Sequence, residues 1–163
     1  MRISELNGPD REGFVKTIGH VYEDSPWVAE RAWQLRPFGS LDQLCEVMNA
    51  IVLSAAHEEQ LALLRAHPDL GTRARIGESS TREQTGAGLD RLTPDEYARL
   101  LQLNTEYKEK FGFPFLYAVK GSDKHRILRA LETRLASTLE AEFSEALTQV
   151  FRIARFRLEE IVE

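Results

Sequence analysis

Two short segments near the middle of the chain hold the side chains best suited to proton-transfer chemistry. Residues 65–71 contain His67, and residues 79–89 contain two adjacent serines, Glu83, Gln84 and two glycines. Histidine can both donate and accept a proton near neutral pH, and a nearby carboxylate can complete an acid/base pair. Pro68 and Gly71 would hold the imidazole on a rigid corner. His67 and Glu83 are therefore the candidate catalytic residues.

Both residues also have a purely structural interpretation. His67 stands where a helix is expected to end, and a cationic side chain there interacts favourably with the helix dipole. Ser80 and Glu83 have the spacing of a capping box, in which the two side chains stabilise the first turn of a helix. A helix start also offers free N–H groups to an anion, so a cap and a binding site do not exclude each other.

Other kinds of site have little support in the sequence. The four histidines are scattered without zinc-binding spacing, and no glycine-rich phosphate loop follows a strand, so we expect neither a metal nor a nucleotide cofactor. Cys45 falls beside the apolar stripe of a predicted helix, which favours a small buried hydrophobic residue over a nucleophile. Charged side chains in such positions are usually exposed to solvent, but a local positive field for an anion could come from Arg73, Arg75 and Lys120.

The bulk composition excludes several classes of protein. The 163 residues are 42% hydrophobic and 29% charged, as in a globular domain, and the net charge of −5 argues against a nucleic-acid partner. No apolar run approaches the roughly 18 residues that a membrane span needs. The polar first ten residues lack the apolar region of a signal peptide, and a single cysteine suits a reducing compartment. We therefore expect a cytoplasmic protein.

Apolar residues recur at helical spacing nearly throughout the chain. The spacing predicts a first helix through Tyr22, a second with Ser25 as its N-cap, and a third that bends near His57 and stops at Pro68. Three later helices are expected to begin at caps, which are Thr93, Ser122 and Thr138. On the last helix Arg157 follows Val150 by seven residues, so its guanidinium should point inward or along a cleft edge.

Residues 111–117 interrupt this pattern with four aromatic side chains and a proline. The residue before a proline is disfavoured in a helix, so we expect a short extended segment with no strand to pair with. The predicted fold is all-α: a single-domain bundle of about seven to nine helices spanning residues 1–163, with one short extended aromatic connector.

Several motifs, taken together and in order, resemble the 2-oxo-4-hydroxy-4-carboxy-5-ureidoimidazoline (OHCU) decarboxylase family. The likeness covers nearly the whole chain. The motifs are Ser25-Pro26-Trp27, Arg36-Pro37-Phe38, residues 66–71, residues 80–89, residues 111–115, and Ile153-Ala154 with Arg157-Leu158. Residues 135–138 depart from the family, which usually has an asparagine after the small residue. We expect that departure to alter a cap or a contact and to leave catalysis untouched.

The resemblance implies the last step of urate breakdown, the cofactor-free and stereospecific decarboxylation of OHCU, an anionic ureide, to (S)-allantoin. It implies a protein that is commonly a homodimer and that acts beside urate oxidase and hydroxyisourate hydrolase. It makes His67 and Glu83 catalytic. The family's substrate-holding positions fall on Pro68, Ser80, Thr81, Arg82, Glu83 and Gln84, on the backbone of Phe115, Leu116, Tyr117, Ala118 and Val119, and on Arg157.

Three alternatives stay open at this point. The chain could be a catalytically inactive relative that only binds a ureide, a helical interaction module, or a lyase or hydrolase that acts on a related cyclic ureide. The presence of His67, Glu83 and Gln84 together argues against an inactive copy, because an unused site does not need all three.

Overall fold

The structure is a computed structural model that describes residues 1–8, 10–71 and 78–163. Over those ranges it contains helices and no strand, which confirms the all-α prediction and its number of helices. Arg73 and Arg75 lie outside the described residues. The helices are α1 (Ile3–Leu6), α2 (Arg11–Ile18), α3 (Trp27–Trp33), α4 (Leu41–Ser54), α5 (His57–Arg65), α6 (Glu78–Gly86), α7 (Pro94–Phe111), α8 (Lys124–Leu135) and α9 (Leu139–Ile161).

The backbone contacts divide the chain into two compact units. The terminal unit consists of Met1–Ala66 and Val150–Glu163, and the central unit consists of His67–Gln149. Helix α9 gives its first part to the central unit and the remainder to the terminal unit. Every predicted site residue except Arg157 belongs to the central unit. Of the helices described, none is both long and apolar enough to cross a bilayer.

Side-chain caps set several helix starts in the terminal unit. The Asp10 carboxylate accepts the N–H of Gly13 at 2.8 Å, and the Ser40 hydroxyl accepts the N–H of Gln43 at 3.1 Å. Such caps satisfy N–H groups that have no partner within the helix. The bend predicted near His57 is a break between two helices, α4 and α5.

Two helix boundaries in the terminal unit differ from the prediction. Helix α2 stops at Ile18 and does not reach Tyr22, because Gly19 forms its C-cap and glycine is a poor helix former. Ser25 does not cap α3. Its hydroxyl donates instead to the Glu23 carbonyl at 2.8 Å, and Pro26 takes the N-cap position.

Helix α7 is the helix whose ends are best explained by the sequence. Thr93 and Glu96 form the predicted capping box, with the two hydrogen bonds at 3.1 and 2.9 Å, and Pro94 is the first helical residue. Gly112 ends the helix in the left-handed region with a φ of 81°, which favours glycine. Helix α7 packs against α8 within the central unit.

The start of α8 differs from the prediction by one residue. Asp123 is the cap, not Ser122, because its carboxylate accepts the N–H groups of His125 and Arg126, each at 3.0 Å. A negative charge suits the positive end of a helix dipole better than a hydroxyl does. The Ser122 hydroxyl pairs instead with the Tyr117 hydroxyl at 2.9 Å.

The aromatic connector runs from residue 112 to residue 119 without helix or strand, as predicted. Tyr107 of α7 lies at the centre of its packing. The ring centroids of Phe113 and Phe115 lie 5.9 and 5.4 Å from that of Tyr107, both in edge-to-face geometry. Phe143 of α9 packs edge-to-face on Phe113 at 6.0 Å. Such aromatic pairs each add stability beyond their buried area, so the connector is fixed although it is irregular.

Candidate active site

His67 directly follows Ala66, the C-cap of α5, as the sequence predicted. Only 7% of the residue is exposed. The chain then turns through Pro68 to Gly71, whose φ is 71°. A Cβ atom at Gly71 would lie 2.3 Å from Leu100 Cδ2, so both the backbone angle and the space require glycine there. We call residues 67–71 the His67 corner.

Three side chains from other elements anchor the His67 corner. The Gln84 carbonyl oxygen, Oε1, accepts the N–H of Gly71 at 2.8 Å, and Asn104 Nδ2 donates to the Leu70 carbonyl at 3.1 Å. Gln84 and Asn104 are both buried. Lys108 Nζ lies 3.4 Å from the Asp69 carboxylate in a more exposed ion pair. The corner is therefore held from α6 and from α7.

Helix α6 presents the predicted polar residues on two different faces. Ser80 and Gln84, one turn apart, are buried, and Glu83 is half-buried beside them. Thr81 and Arg82 are exposed. Side chains three and four residues apart share a helix face, so Ser80, Glu83 and Gln84 form the inward-facing set.

The capping-box interpretation of Ser80 and Glu83 is wrong. Helix α6 begins at Glu78, so Ser80 already lies inside the helix. A capping residue needs a non-helical backbone immediately before the first turn, which Ser80 does not have. The capping box therefore does not account for Glu83 at this position.

The hydrogen bond between Gly71 and Gln84 joins the two segments that the sequence singled out. His67 precedes Gly71 by four residues, and Glu83 is the neighbour of Gln84. Four residues of chain span at most about 14 Å, so residues 67 and 83 belong to the same part of the central unit. A buried imidazole and a half-buried carboxylate are the groups that general acid/base chemistry requires.

The predicted substrate segment, Phe115–Val119, is held in place by side chains that form hydrogen bonds with its backbone. The Leu116 carbonyl accepts a hydrogen bond from Arg134 Nη1 at 2.6 Å, and the Ala118 N–H donates to Gln149 Oε1 at 2.9 Å. Every residue of the segment is buried except Tyr117, which is half-buried. Lys120, one of the predicted sources of positive charge, is exposed and follows the segment directly.

Sequence reasoning missed Arg134 and Gln149, although a signal existed for both. Arg134 follows Ile127 by seven residues on the apolar stripe of α8, and Gln149 follows the buried Ala146 by three on α9. A polar residue at a core position of an amphipathic helix indicates a buried hydrogen-bond partner. The same signal predicts the inward guanidinium of Arg157 on α9.

Arg157 lies in the terminal unit and is 5% exposed. Its Nη1 donates to the Glu23 carboxylate at 2.7 Å and approaches the Val21 carbonyl at 3.4 Å. The prediction that its guanidinium points inward is therefore confirmed, and its contact with a substrate remains a prediction.

A cavity of about 420 Å³ opens between the end of α6 and the start of α8. Its walls include Arg91, Lys124 and His125 and contain none of the predicted site side chains. Lys124 is already paired with Glu96 at 2.6 Å. Within the described ranges, no three His, Cys, Asp or Glu side chains gather as metal ligands.

Comparison with known proteins gives a consistent result over the whole chain. The family model described as OHCU decarboxylase matches residues 7–159. An OHCU decarboxylase of Halalkalicoccus jeotgali is 47% identical, with 99% of this chain and 92% of that protein covered. The uric acid degradation bifunctional protein PucL of Bacillus subtilis is 46% identical. The match covers 98% of this chain but only 32% of that protein.

A solved structure agrees with the sequence matches. The crystal structure of an (S)-allantoin synthase superposes with a TM-score of 0.82 and 34% sequence identity, covering 99% of this chain and 54% of that one. The family match and the identity to full-length relatives both extend across nearly all of the sequence. The chain therefore belongs to the OHCU decarboxylase family of enzymes.

Proposed function

We propose that this protein decarboxylates OHCU to (S)-allantoin in urate degradation, without a cofactor, using His67 and Glu83 as an acid/base pair. The observation that carries the proposal is the hydrogen bond from the Gly71 N–H to Gln84, which unites the segments of the two residues. Family membership supports the reaction, and the name of the (S)-allantoin synthase supports the stereochemistry.

The substrate explains why no cofactor is required. OHCU carries its carboxylate on a carbon that also bears a hydroxyl group and adjoins a ring C=N bond. When the C–C bond to the carboxylate breaks, its electron pair forms a C=C bond and the C=N electrons move onto nitrogen, which takes a proton. Carbon dioxide departs and an enol remains. The enol C–OH becomes a ring carbonyl when the hydroxyl loses its proton and the neighbouring carbon gains one.

The protein must then supply orientation, exclusion of water and proton transfer from one face. Burial of His67 suits it to a water-poor site, and Glu83 is a half-buried residue of α6 next to Gln84, which accepts the N–H of Gly71. We assign the pair to the hydroxyl proton and to the carbon that is protonated. Substrate contacts are proposed for Pro68, for Ser80, Thr81, Arg82 and Gln84, for the backbone of Phe115–Val119 and, from the family resemblance alone, for Arg157.

The exposure pattern of α6 refines these contacts. Ser80 and Gln84 offer buried side chains, whereas Thr81 and Arg82 point toward solvent. Any role of Thr81 and Arg82 then belongs to the backbone or to the entrance of the site. Gln84 also accepts the Gly71 N–H, so its carbonyl serves the His67 corner and its amide nitrogen is the atom we assign to the ureide.

The proposal extends to the partners of the enzyme and to its compartment. The bifunctional Bacillus relatives, of which this chain spans about a third, support association with other urate-pathway enzymes such as urate oxidase and hydroxyisourate hydrolase. A homodimer follows from the family resemblance, and a single buried cysteine favours the cytosol. Residues 1–163 are proposed to act as one functional domain.

The proposal is tested with OHCU generated freshly from urate by urate oxidase and hydroxyisourate hydrolase. Circular dichroism of the product follows both the rate and the handedness of the allantoin. We expect accelerated formation of optically active (S)-allantoin, and no acceleration from the matched buffer control. Racemic allantoin formed at the spontaneous rate would refute the activity and leave a ureide-binding protein or an interaction module.

A further inference from the structure

An ion pair between the half-buried Arg134 and the buried Glu142 lies behind the aromatic connector. Glu142 of α9 is 1% exposed, and Arg134 of α8 approaches its Oε1 atom with Nε and Nη2, both at 2.5 Å. The Tyr107 hydroxyl donates to the same oxygen at 2.5 Å. Burial, together with the Glu142 carboxylate, raises the pKa of Tyr107, so the phenol stays protonated and remains a donor.

The rest of the Arg134 side chain contacts the connector. Nη1 donates to the Leu116 carbonyl at 2.6 Å, and the guanidinium carbon lies 4.5 Å from the centroid of the Phe115 ring. One side chain thus fixes two consecutive residues of the predicted substrate segment. A second side chain, that of the buried Gln149, accepts the N–H of Ala118 two residues further on.

Stability alone does not account for this choice of residues. Replacing a buried ion pair by apolar side chains of similar volume is often neutral or stabilising, because two charges no longer lose their hydration. An arginine is nevertheless required if one group must pair with a carboxylate, stack on an aromatic ring and bind a carbonyl. Lysine cannot reproduce this planar set of donors.

We propose that Arg134, oriented by Glu142, is a positioning residue that sets the backbone of Phe115–Val119 for substrate binding. The inference rests on the proposed function, in which that backbone contacts OHCU. Arg134 itself touches no reacting atom in this scheme. Its loss should therefore weaken substrate binding more than it slows the chemical step.

The test compares Arg134→Lys with Arg129→Lys, a matched change at an exposed arginine on the same helix. Steady-state kinetics with fresh OHCU give KM and kcat, and hydrogen exchange reports on the amides of residues 115–119. We expect Arg134→Lys to raise KM about tenfold, to leave kcat within about threefold, and to accelerate exchange in that segment. Arg129→Lys should match the wild type in all three.

Several results would overturn the inference. One such result is a folded Arg134→Lys protein whose KM and whose hydrogen exchange at residues 115–119 both equal those of the wild type. Another is faster exchange spread evenly over α7, α8 and α9 with an equal loss of kcat and kcat/KM, which would indicate general loosening. If Arg134→Lys does not fold, Tyr107→Phe removes only one donor to Glu142, and it should raise KM about threefold. An unchanged KM in that variant counts against the inference.

The exchange measurement separates this inference from the proposed function. A wild-type protein that does not accelerate OHCU decarboxylation refutes the activity. Local acceleration of exchange in Arg134→Lys would still support Arg134 as the residue that positions the segment, and its absence would refute that role.

Discussion

The substitution Gly71→Ala tests whether the His67 corner must keep its shape. With a φ of 71°, the backbone at this position costs an alanine about 1–2 kcal/mol. The new Cβ would also lie 2.3 Å from Cδ2 of Leu100, whose side chain is buried, and such overpacking costs about 1–3 kcal/mol. We therefore expect the free energy of unfolding to fall by about 3 kcal/mol.

Gly121→Ala is the matched control for this substitution. Its φ is 79°, but no heavy atom lies within 4 Å of the added Cβ, so only the backbone cost applies. Urea denaturation followed by far-UV circular dichroism should show a loss of about 1 kcal/mol for Gly121→Ala. The difference of about 2 kcal/mol between the two variants then measures the clash with Leu100.

The clash should also reduce activity, because it displaces the corner that carries His67. A misplacement of about 1 Å at a catalytic group can cost about 100-fold in rate. We expect kcat for OHCU to fall about 10- to 100-fold in Gly71→Ala and to remain near the wild-type value in Gly121→Ala. Equal stabilities and equal kcat values in the two variants would refute the claim that this corner is sterically defined.

Three further predictions concern single contacts. Asn104→Leu removes the donor to the corner's carbonyl and should lower the free energy of unfolding by about 1–3 kcal/mol in urea; unchanged stability would contradict this. Lys124 lowers the pKa of Glu96 to about 2, so the stability advantage over Glu96→Gln should be complete above pH 4.5 and lost as the pH falls through about 2; a pH-independent difference would be inconsistent. Burial raises the pKa of the Cys45 thiol, so Ellman's reagent should label the native protein far more slowly than the unfolded one, and Cys45→Ser should keep its kcat.

Local sequence signals were sufficient for much of the fold. The letters Thr-Pro-Asp-Glu at residues 93–96 predict the start of α7, because the cap, the proline and the returning glutamate all act within one turn. The failures were also local. Helix α2 ends at Gly19, before its apolar pattern ends. Helix α8 is capped by the carboxylate of Asp123 and not by the hydroxyl of Ser122.

The candidate site was less accessible to sequence reasoning. Proline and glycine at residues 68 and 71 predict a turn, but the partner of the Gly71 N–H is a glutamine thirteen residues away, which only tertiary packing reveals. Ser80 and Glu83 have the residue types and spacing of a capping box, but both lie inside α6, which begins at Glu78. Arg134 stood at an apolar position of α8, and its partners Glu142 and Leu116 follow from the fold alone.

His67 and Glu83 are proposed to act together as one acid/base pair. The most direct measurement is kcat for OHCU in His67→Ala, Glu83→Gln and the double variant, with the exposed His20→Ala as a control. We expect each single variant to lose about 100- to 10,000-fold with an unchanged far-UV spectrum, and the double variant to lose little more than the worse single one. A folded His67→Ala protein that keeps a near-normal kcat would contradict the claim.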